Sequence, residues 1–529
     1  MNKKGFAISG IIYSILILFL LLLFAILSML GSRKLVLDKI KNDVMNKLNG
    51  GVAYQSEYRD TSGANKPHLL DNMIPIKYDG YNWIYADVYK EWYDYDKQEW
   101  ANAVILNENV IKNVGDVITN EDIALWYVWI PRYKYTIFNG NNESVAEQTI
   151  NITFETGTSS TGTVKCVDAI NETDANGNKI SEICTDEKNG SIINGVSTYT
   201  HPAFTFGNQQ VTGLWIGKFE ASTTDEVCSD TPNRNNCSKV HKLTTKPGIN
   251  SLRYTNLSNL FTSIKNISSD YMTNGDSHMI KNMEWGSIAY LKQSEYGLGM
   301  TDIAINDNSD FLTGGGNNNA YITNVGQSTT GNVYGVYDMS GGAWEYAMGN
   351  MVNSGGSFYI SSSGISETLD TKYYDAYTYD ETDTSHARGK LGDATRETLK
   401  TFGNDNVGWY GDYADFPSST SSWFVRGGHP DGGARAGVFH FYNIYGYADG
   451  SVSSRAVLVP PDENALKGSP IVDKVKTLVY DENGVCKTDG STYEYMGGCY
   501  IKAGASTTLA NHIWYNGFLW RIMGINSDG

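Results

Sequence analysis

The 529-residue chain reads as an α+β protein with many short strands, few helices and long loops. Three observations predict this class. Aromatic and polar residues alternate over short stretches, as half-buried strands require. Within the polar part of the chain, residues 282–293 have the pattern of a globular helix, with Asn282 as its cap. Segments 298–333 and 354–420 carry no regular pattern, and loops of such length are uncommon in compact domains unless they are functional.

The chain opens with a different kind of segment. Residues 6–30, FAISGIIYSILILFLLLLFAILSML, are an apolar run without a charge. About 20 such residues cross a bilayer as a helix. A secretory signal peptide has a shorter apolar core and a small-residue cleavage site. Residues 1–5, MNKKG, resemble the leader of type IV pilin-like proteins, which are cleaved after the glycine and keep the helix. Gly10 stands where pilins favour Glu, so a plain signal anchor is the alternative. Residues 33–48 continue amphipathically, with Leu35, Leu37, Ile40, Val44 and Leu48 near one face. Residues 6–48 therefore form one pilin-like unit, with other pilin-like subunits as expected partners. Lys3 and Lys4 precede the helix, while Arg33, Lys34, Lys39 and Lys41 follow it. That count alone places the C-terminal side in the cytoplasm. Cysteine pairing and the kind of domain attached outweigh it and place the globular part outside the cell membrane.

Residues 49–75 read as a linker, broken by Gly50, Gly51, Gly63 and Pro67. Short aromatic strands follow at 81–88, 90–106 and 123–138, and Pro131 makes the last an edge or bent strand. Trp83, Trp92, Trp100, Trp126, Trp129, Trp215 and Trp285 are assigned to the core. Trp409 and Tyr410, in a Gly-rich stretch, are the more exposed aromatic candidates. Residues 139–205 form an insertion rich in Asn, Thr and Gly. A first domain closes at Pro460. Residues 461–529 begin a second β-rich module, and the alternating strand in IWYNGFLWRIMGINSDG wants a partner beyond Gly529, which points to truncation.

Composition narrows the function. The 36 tyrosines and 12 tryptophans suit strands and binding surfaces. A net charge of −17 argues against nucleic acid, which needs a basic patch. Six cysteines form three local pairs, Cys166 with Cys184, Cys228 with Cys237, and Cys486 with Cys499. Each pair brackets a polar, turn-rich loop, which reads as disulfides in an oxidising compartment. Zinc is the rival, without C-x-x-C or His spacing to support it.

The most informative stretch is GVYDMSGGAWEYAMGN, 335–350. With VTGLWIGKFEAS (211–222), HMIKNMEWGSIAYLKQSEYG (278–297), WFVRGGHPDGG (423–433) and SSRAVL (453–458), it resembles, in order, five motifs of the formylglycine-generating enzyme family. The matching residues are Asp338, Gly341, Trp344 and Glu345; Lys218 and Glu220; Glu284 and Trp285; Arg426, Gly427 and Gly428; and Arg455. The resemblance covers residues 76–460. It implies a variant of the C-type-lectin fold, and a calcium site formed by Asp338, the carbonyls of Gly341 and Ala343, and Glu345. Such mixed oxygen ligands suit calcium.

The catalytic members carry two copper-binding cysteines after the Arg-Gly-Gly strand, whereas residues 429–440 here read HPDGGARAGVFH. A Cu(I) oxidase needs that soft thiolate, so the resemblance implies a binding member rather than an enzyme. Segment 429–447 also resembles the variable region of lectin-fold proteins diversified by retroelements. It offers His429, Asp431, His440, Tyr442, Asn443 and Tyr445 as a ligand face. The expected function is a membrane-anchored, adhesin-like protein that binds an extracellular protein or glycan. A structural pilin-like subunit and a diverged oxidase of the formylglycine or sulfoxide-synthase type are the alternatives.

Overall fold

The computed structural model describes residues 57–461 apart from 137–146, 163, 174–178, 187–197, 226–227, 229–236, 354, 360–361, 366–368, 379–388 and 402–406, together with the strand backbone between 492 and 525. Residues 1–58 and 59–529 are separate compact units. The pilin-like helix over 6–48 lies outside the described residues. Among the described residues, no helix is long and apolar enough to cross a membrane.

The second unit is built on two sheets. The larger contains β1 (Met73–Tyr78), β2 (Trp83–Tyr85), β3 (Asn102–Leu106), β4 (Val117–Ile118), β5 (Ile123–Pro131), β6 (Gly213–Gly217), β7 (Asp276–Met279) and, late in the chain, a strand at Ala456–Val459. The smaller contains β8 (Trp344–Val352), β9 (Asp375–Thr378), β10 (Trp423–Gly427), β11 (Gly437–Ile444) and β12 (Val452–Ser454). Ala456–Val459 is β13. The larger sheet runs β7-β13-β6-β5-β3-β1-β2-β4, antiparallel throughout. The smaller runs β9-β8-β10-β11, with β12 added in parallel to the start of β8. Two helices with α-helical length stand out, α1 (Leu257–Lys265) and α2 (Asn282–Lys292). The described chain is thus mostly sheet with few helices and long loops.

Several expectations are corrected by packing. β5 is no edge strand, because it lies between β6 and β3. Pro131 is its last residue, and the chain then bends into a three-stranded sheet through Tyr133–Thr136. Helix α2 begins at Asn282, but the capping residue is Lys281, whose N–H donates to Glu284 Oε2 at 2.9 Å. The Glu at the third helical position reaches back and satisfies that orphan donor. The stretch from Arg59 to Asn72, read as linker, is packed against the sheets. The Asn65 amide donates to the carbonyls of Glu155, Gly157 and Thr212, and Trp129 and Trp215 donate to the carbonyls of Asn65 and His68.

The seven tryptophans assigned to the core are all buried. Trp83 and Trp126 join Ile76, Phe219, Tyr321 and Tyr337 in one cluster. Lys218 ends in that cluster. Its ammonium donates to Asn102 Oδ1 and to the carbonyls of Val333 and Gly335, beside the rings of Trp83, Trp126 and Tyr337. Three donors meet three acceptors, which is what a buried cation requires. By contrast, Trp409 is fully buried against Phe439, so it is no surface platform.

Cys228 and Cys237 form a disulfide. Cys166 and Cys184 stand directly opposite each other in the hairpin 164–186. Cys486 lies outside the described residues. The stretch 513–529, read as one strand, is instead a hairpin of His512–Tyr515 with Phe518–Arg521, and Gly524–Ile525 turns back to pair with Cys499 and Tyr500.

Candidate functional site

The 335–350 motif and the 423–447 segment meet at the start of the smaller sheet. β8 pairs with β10, and β10 with β11. Trp344 opens β8 and is half-buried. Its indole does not enter the core. It makes an edge-on contact with the His429 ring at 4.8 Å, stacks at 6.4 Å from the His440 ring, and is tilted by 32° to the Tyr442 ring at 5.8 Å. Tyr413 adds a ring 5.7 Å from Tyr442.

These side chains line a cleft of about 340 Å³, closed on its other side by the loop that carries Asp431, Gly432 and Arg435. The loop leaves β10 through Gly428, whose φ is +78°. A Cβ there would lie 2.5 Å from the Ala436 Cβ, so glycine alone lets the loop fold back this closely. His429 Nδ1 accepts from the Asp431 N–H at 3.2 Å and opens the turn over Pro430–Arg435.

His440 is held from behind. The buried Arg426 donates Nε–H to the His440 carbonyl at 2.9 Å, and its other nitrogens go to the carbonyls of Asp393 and Ala394. The His440 Nδ1 lies 2.9 Å from the Arg435 carbonyl. A carbonyl only accepts, so Nδ1 carries the proton and Nε2 is left as a lone pair. Burial pushes the His440 pKa down to about 4. Among the described residues, neither His440 Nε2 nor the Trp344 indole N–H has a hydrogen-bond partner, and both atoms are shielded from water.

Four of the six residues expected as a ligand face therefore come together: His429, Asp431, His440 and Tyr442. Asn443 does not join them. Side chains alternate along β11, so Asn443 points to the other face and donates to Asp415 Oδ2 at 2.7 Å. Tyr445 follows the end of β11, is 45% exposed, and lies against Tyr447 outside the cleft. Sequence reasoning missed Trp344, Tyr413 and Arg435 as lining residues. Trp344 stands within the 335–350 motif, where no local pattern separates a core Trp from one that lines a cleft.

Of the four oxygen ligands implied for calcium, both carboxylates are already engaged. Both Glu345 oxygens are taken by Arg455, at 2.5 and 3.1 Å. Asp338 accepts from the Gly314 N–H at 2.8 Å and from Asn306 at 2.9 Å. A third carboxylate, Glu220, accepts the Ala343 N–H at 2.9 Å and a hydrogen bond from Ser251. Gly342, with φ +72°, leaves no room for a Cβ, which would stand 2.4 Å from Glu220 Oε1. Burial raises the pKa of all three acids, opposed at each by the Arg455 charge. The cation that this group visibly fits is a guanidinium.

A further cluster, Asp225, Cys228 and His241, has ligand-like spacing. Its sulfur belongs to the Cys228–Cys237 disulfide and so offers no thiolate.

No protein-family model and no curated protein matches this chain. Among solved structures, it is similar to Treponema denticola variable protein 1, at 14% identity over 56% of this chain and 95% of that one, with a TM-score of 0.22. A likeness at that score carries no argument.

Proposed function

We propose that this chain is a membrane-anchored, surface-displayed binding protein. In this reading the helix over 6–48 holds a lectin-fold domain, 76–460, outside the cell, and the cleft at Trp344 engages an extracellular protein or glycan. The supporting observation is the convergence of Trp344 with His429, Asp431, His440 and Tyr442 on one concave surface. Ligand sites take this form, aromatic walls with a few placed polar groups. Tyr and Trp also provide contact area at low entropic cost. The lectin-fold reading is supported by the motif residues Lys218, Glu220, Trp285, Glu345, Arg426 and Arg455, which are all fully buried anchors.

Display of the full chain on cells tests this reading. Trp344→Ala and Tyr442→Ala should each weaken adhesion to a ligand-bearing surface by about tenfold or more, as central aromatic contacts do. Adhesion that is indifferent to both leaves a structural pilin-like subunit as the better reading. Protease added to intact cells should remove everything beyond the 49–75 stretch, and protection of that region would overturn the topology. A mature N-terminus at Phe6 would support pilin-like processing. Copper-dependent oxidation of a cysteine peptide would establish the diverged oxidase instead.

Calcium at Asp338, Gly341, Ala343 and Glu345 is a subordinate proposal with a defined requirement: the ion has to displace Arg455 from Glu345. Melting the full chain with calcium and with chelator decides it, because an ion bound only by the native state raises Tm by mass action.

A further inference from the structure

We propose, resting on the binding reading above, that the cleft seats one pyranose ring of a glycan, its C–H face against Trp344 and Tyr442, with a ring hydroxyl shared between His440 and Trp344. The argument begins with the two unpartnered atoms. His440 Nε2 is an acceptor, because the Arg435 carbonyl holds the proton on Nδ1. The Trp344 indole N–H is a donor. Neither has a partner among the described residues, although both residues line the same cleft.

Candidate ligands differ in how they satisfy that pair. A carboxylate or phosphate brings acceptors and leaves Nε2 facing a second lone pair. An ammonium group brings donors and leaves the indole N–H alone. An apolar side chain satisfies neither. An amide brings both kinds of group but on two separate atoms, whereas a hydroxyl donates and accepts at one oxygen, so one atom answers both.

The walls then separate a sugar from a single hydroxylated side chain. Trp344 and Tyr442 are tilted by 32° with centroids 5.8 Å apart, two neighbouring aromatic rings against which the C–H face of a sugar can pack. Asp431 and Arg435, both exposed at the rim, can meet the outward hydroxyls. The volume, about 340 Å³, is that of a small-ligand site. Because the two polar atoms are shielded from water, the half-buried Trp344 ring has to shift as the hydroxyl enters, which makes its fluorescence a reporter.

The full chain in detergent is titrated with the methyl glycosides of glucose, galactose, mannose, fucose, N-acetylglucosamine and N-acetylgalactosamine. Saturation-transfer NMR and tryptophan emission are the readouts. The expected result is saturable binding of at least one glycoside, with a millimolar dissociation constant and an emission change absent from Trp344→Phe. Trp344→Ala and His440→Phe should each weaken it at least tenfold, and Tyr81→Ala, 85% exposed on another element, should leave it unchanged. Circular dichroism verifies that each variant is folded, and Tyr442→Ala stands in if one is not. No glycoside signal, or a signal that survives these cleft substitutions, overturns the proposal. If glycosides give nothing while adhesion still depends on Trp344, the ligand is a protein: the saccharide class falls and the binding reading stands. If adhesion also ignores the cleft, both fall.

Discussion

Arg455 and Glu345 stand 110 positions apart in sequence and form a two-pronged ion pair with both side chains closed to water. Arg455 also donates to the carbonyls of Gly217 and Tyr337. One guanidinium thereby ties β6, the 335–350 motif and β8 together. The pair lies one residue from Trp344, so it fixes the strand start from which the cleft wall projects.

Breaking this pair on one side should be costly. Glu345→Gln or Arg455→Met leaves a buried charge without its partner, and each should destabilise the chain by about 3–5 kcal/mol. The double substitution should cost less than the sum by more than about 1 kcal/mol, since the two groups are coupled. Urea unfolding followed by tryptophan fluorescence measures all three. Additive losses would show that the pair is not the joint described here.

The part of cleft binding that depends on His440 should be insensitive to pH across the neutral range. His440 titrates near pH 4 because burial disfavours its charged form, so its lone pair persists at any higher pH. The folded pKa lies below the ordinary histidine value, so the stability this residue contributes is lost as pH falls from about 6.5 towards 4. His440→Gln should flatten that part of the stability profile. A change in binding across pH 6–7 that His440→Gln abolishes would contradict the assignment.

Glu397 should act in the opposite sense. It is fully buried and accepts from the hydroxyls of Tyr135 and Tyr290 and from the Gly392 N–H. Burial raises its pKa to about 8, against 4.5 for a free glutamate. The native state therefore holds a proton that the unfolded state has released. The associated stability is complete below pH 4.5 and is lost as pH rises towards 8. Glu397→Gln should remove this decline, as thermal melts at pH 5 and pH 8.5 would reveal. An unchanged difference between the two melts would assign the decline to another group.

Reducing Cys228–Cys237 should lower stability by about 2–3 kcal/mol, the loop-closure entropy expected for so short a loop. Peptide mapping without reductant should recover the pair, and should also recover Cys166 with Cys184, which are register partners in two paired strands. A free thiol at Cys228 or Cys237 in the native protein would refute the first of these pairings.

The sequence by itself determined the class of fold, seven of the buried tryptophans, the existence of helix α2 and the local pairing of Cys228 with Cys237. These follow from short-range patterns: alternation with period two, helical periodicity and close cysteine spacing. It also marked 429–447 as a candidate ligand face, through a resemblance to the variable region of diversified lectin-fold proteins and through its adaptable Tyr and Asn residues. Tertiary structure alone decided which of those residues share a surface. β11 pairs with β10 in continuous register from Trp423↔Ile444 to Arg426↔Phe441, and register assigns each side chain to one face. That is why Tyr442 lines the cleft while Asn443 turns to Asp415. Likewise β5 lies inside its sheet because β6, some 80 residues later, pairs with it, a long-range contact that no local pattern encodes. Trp344 and Glu345 make the same point within two positions: adjacent in the chain, they point to opposite sides of β8, the indole to the cleft and the carboxylate to the buried Arg455.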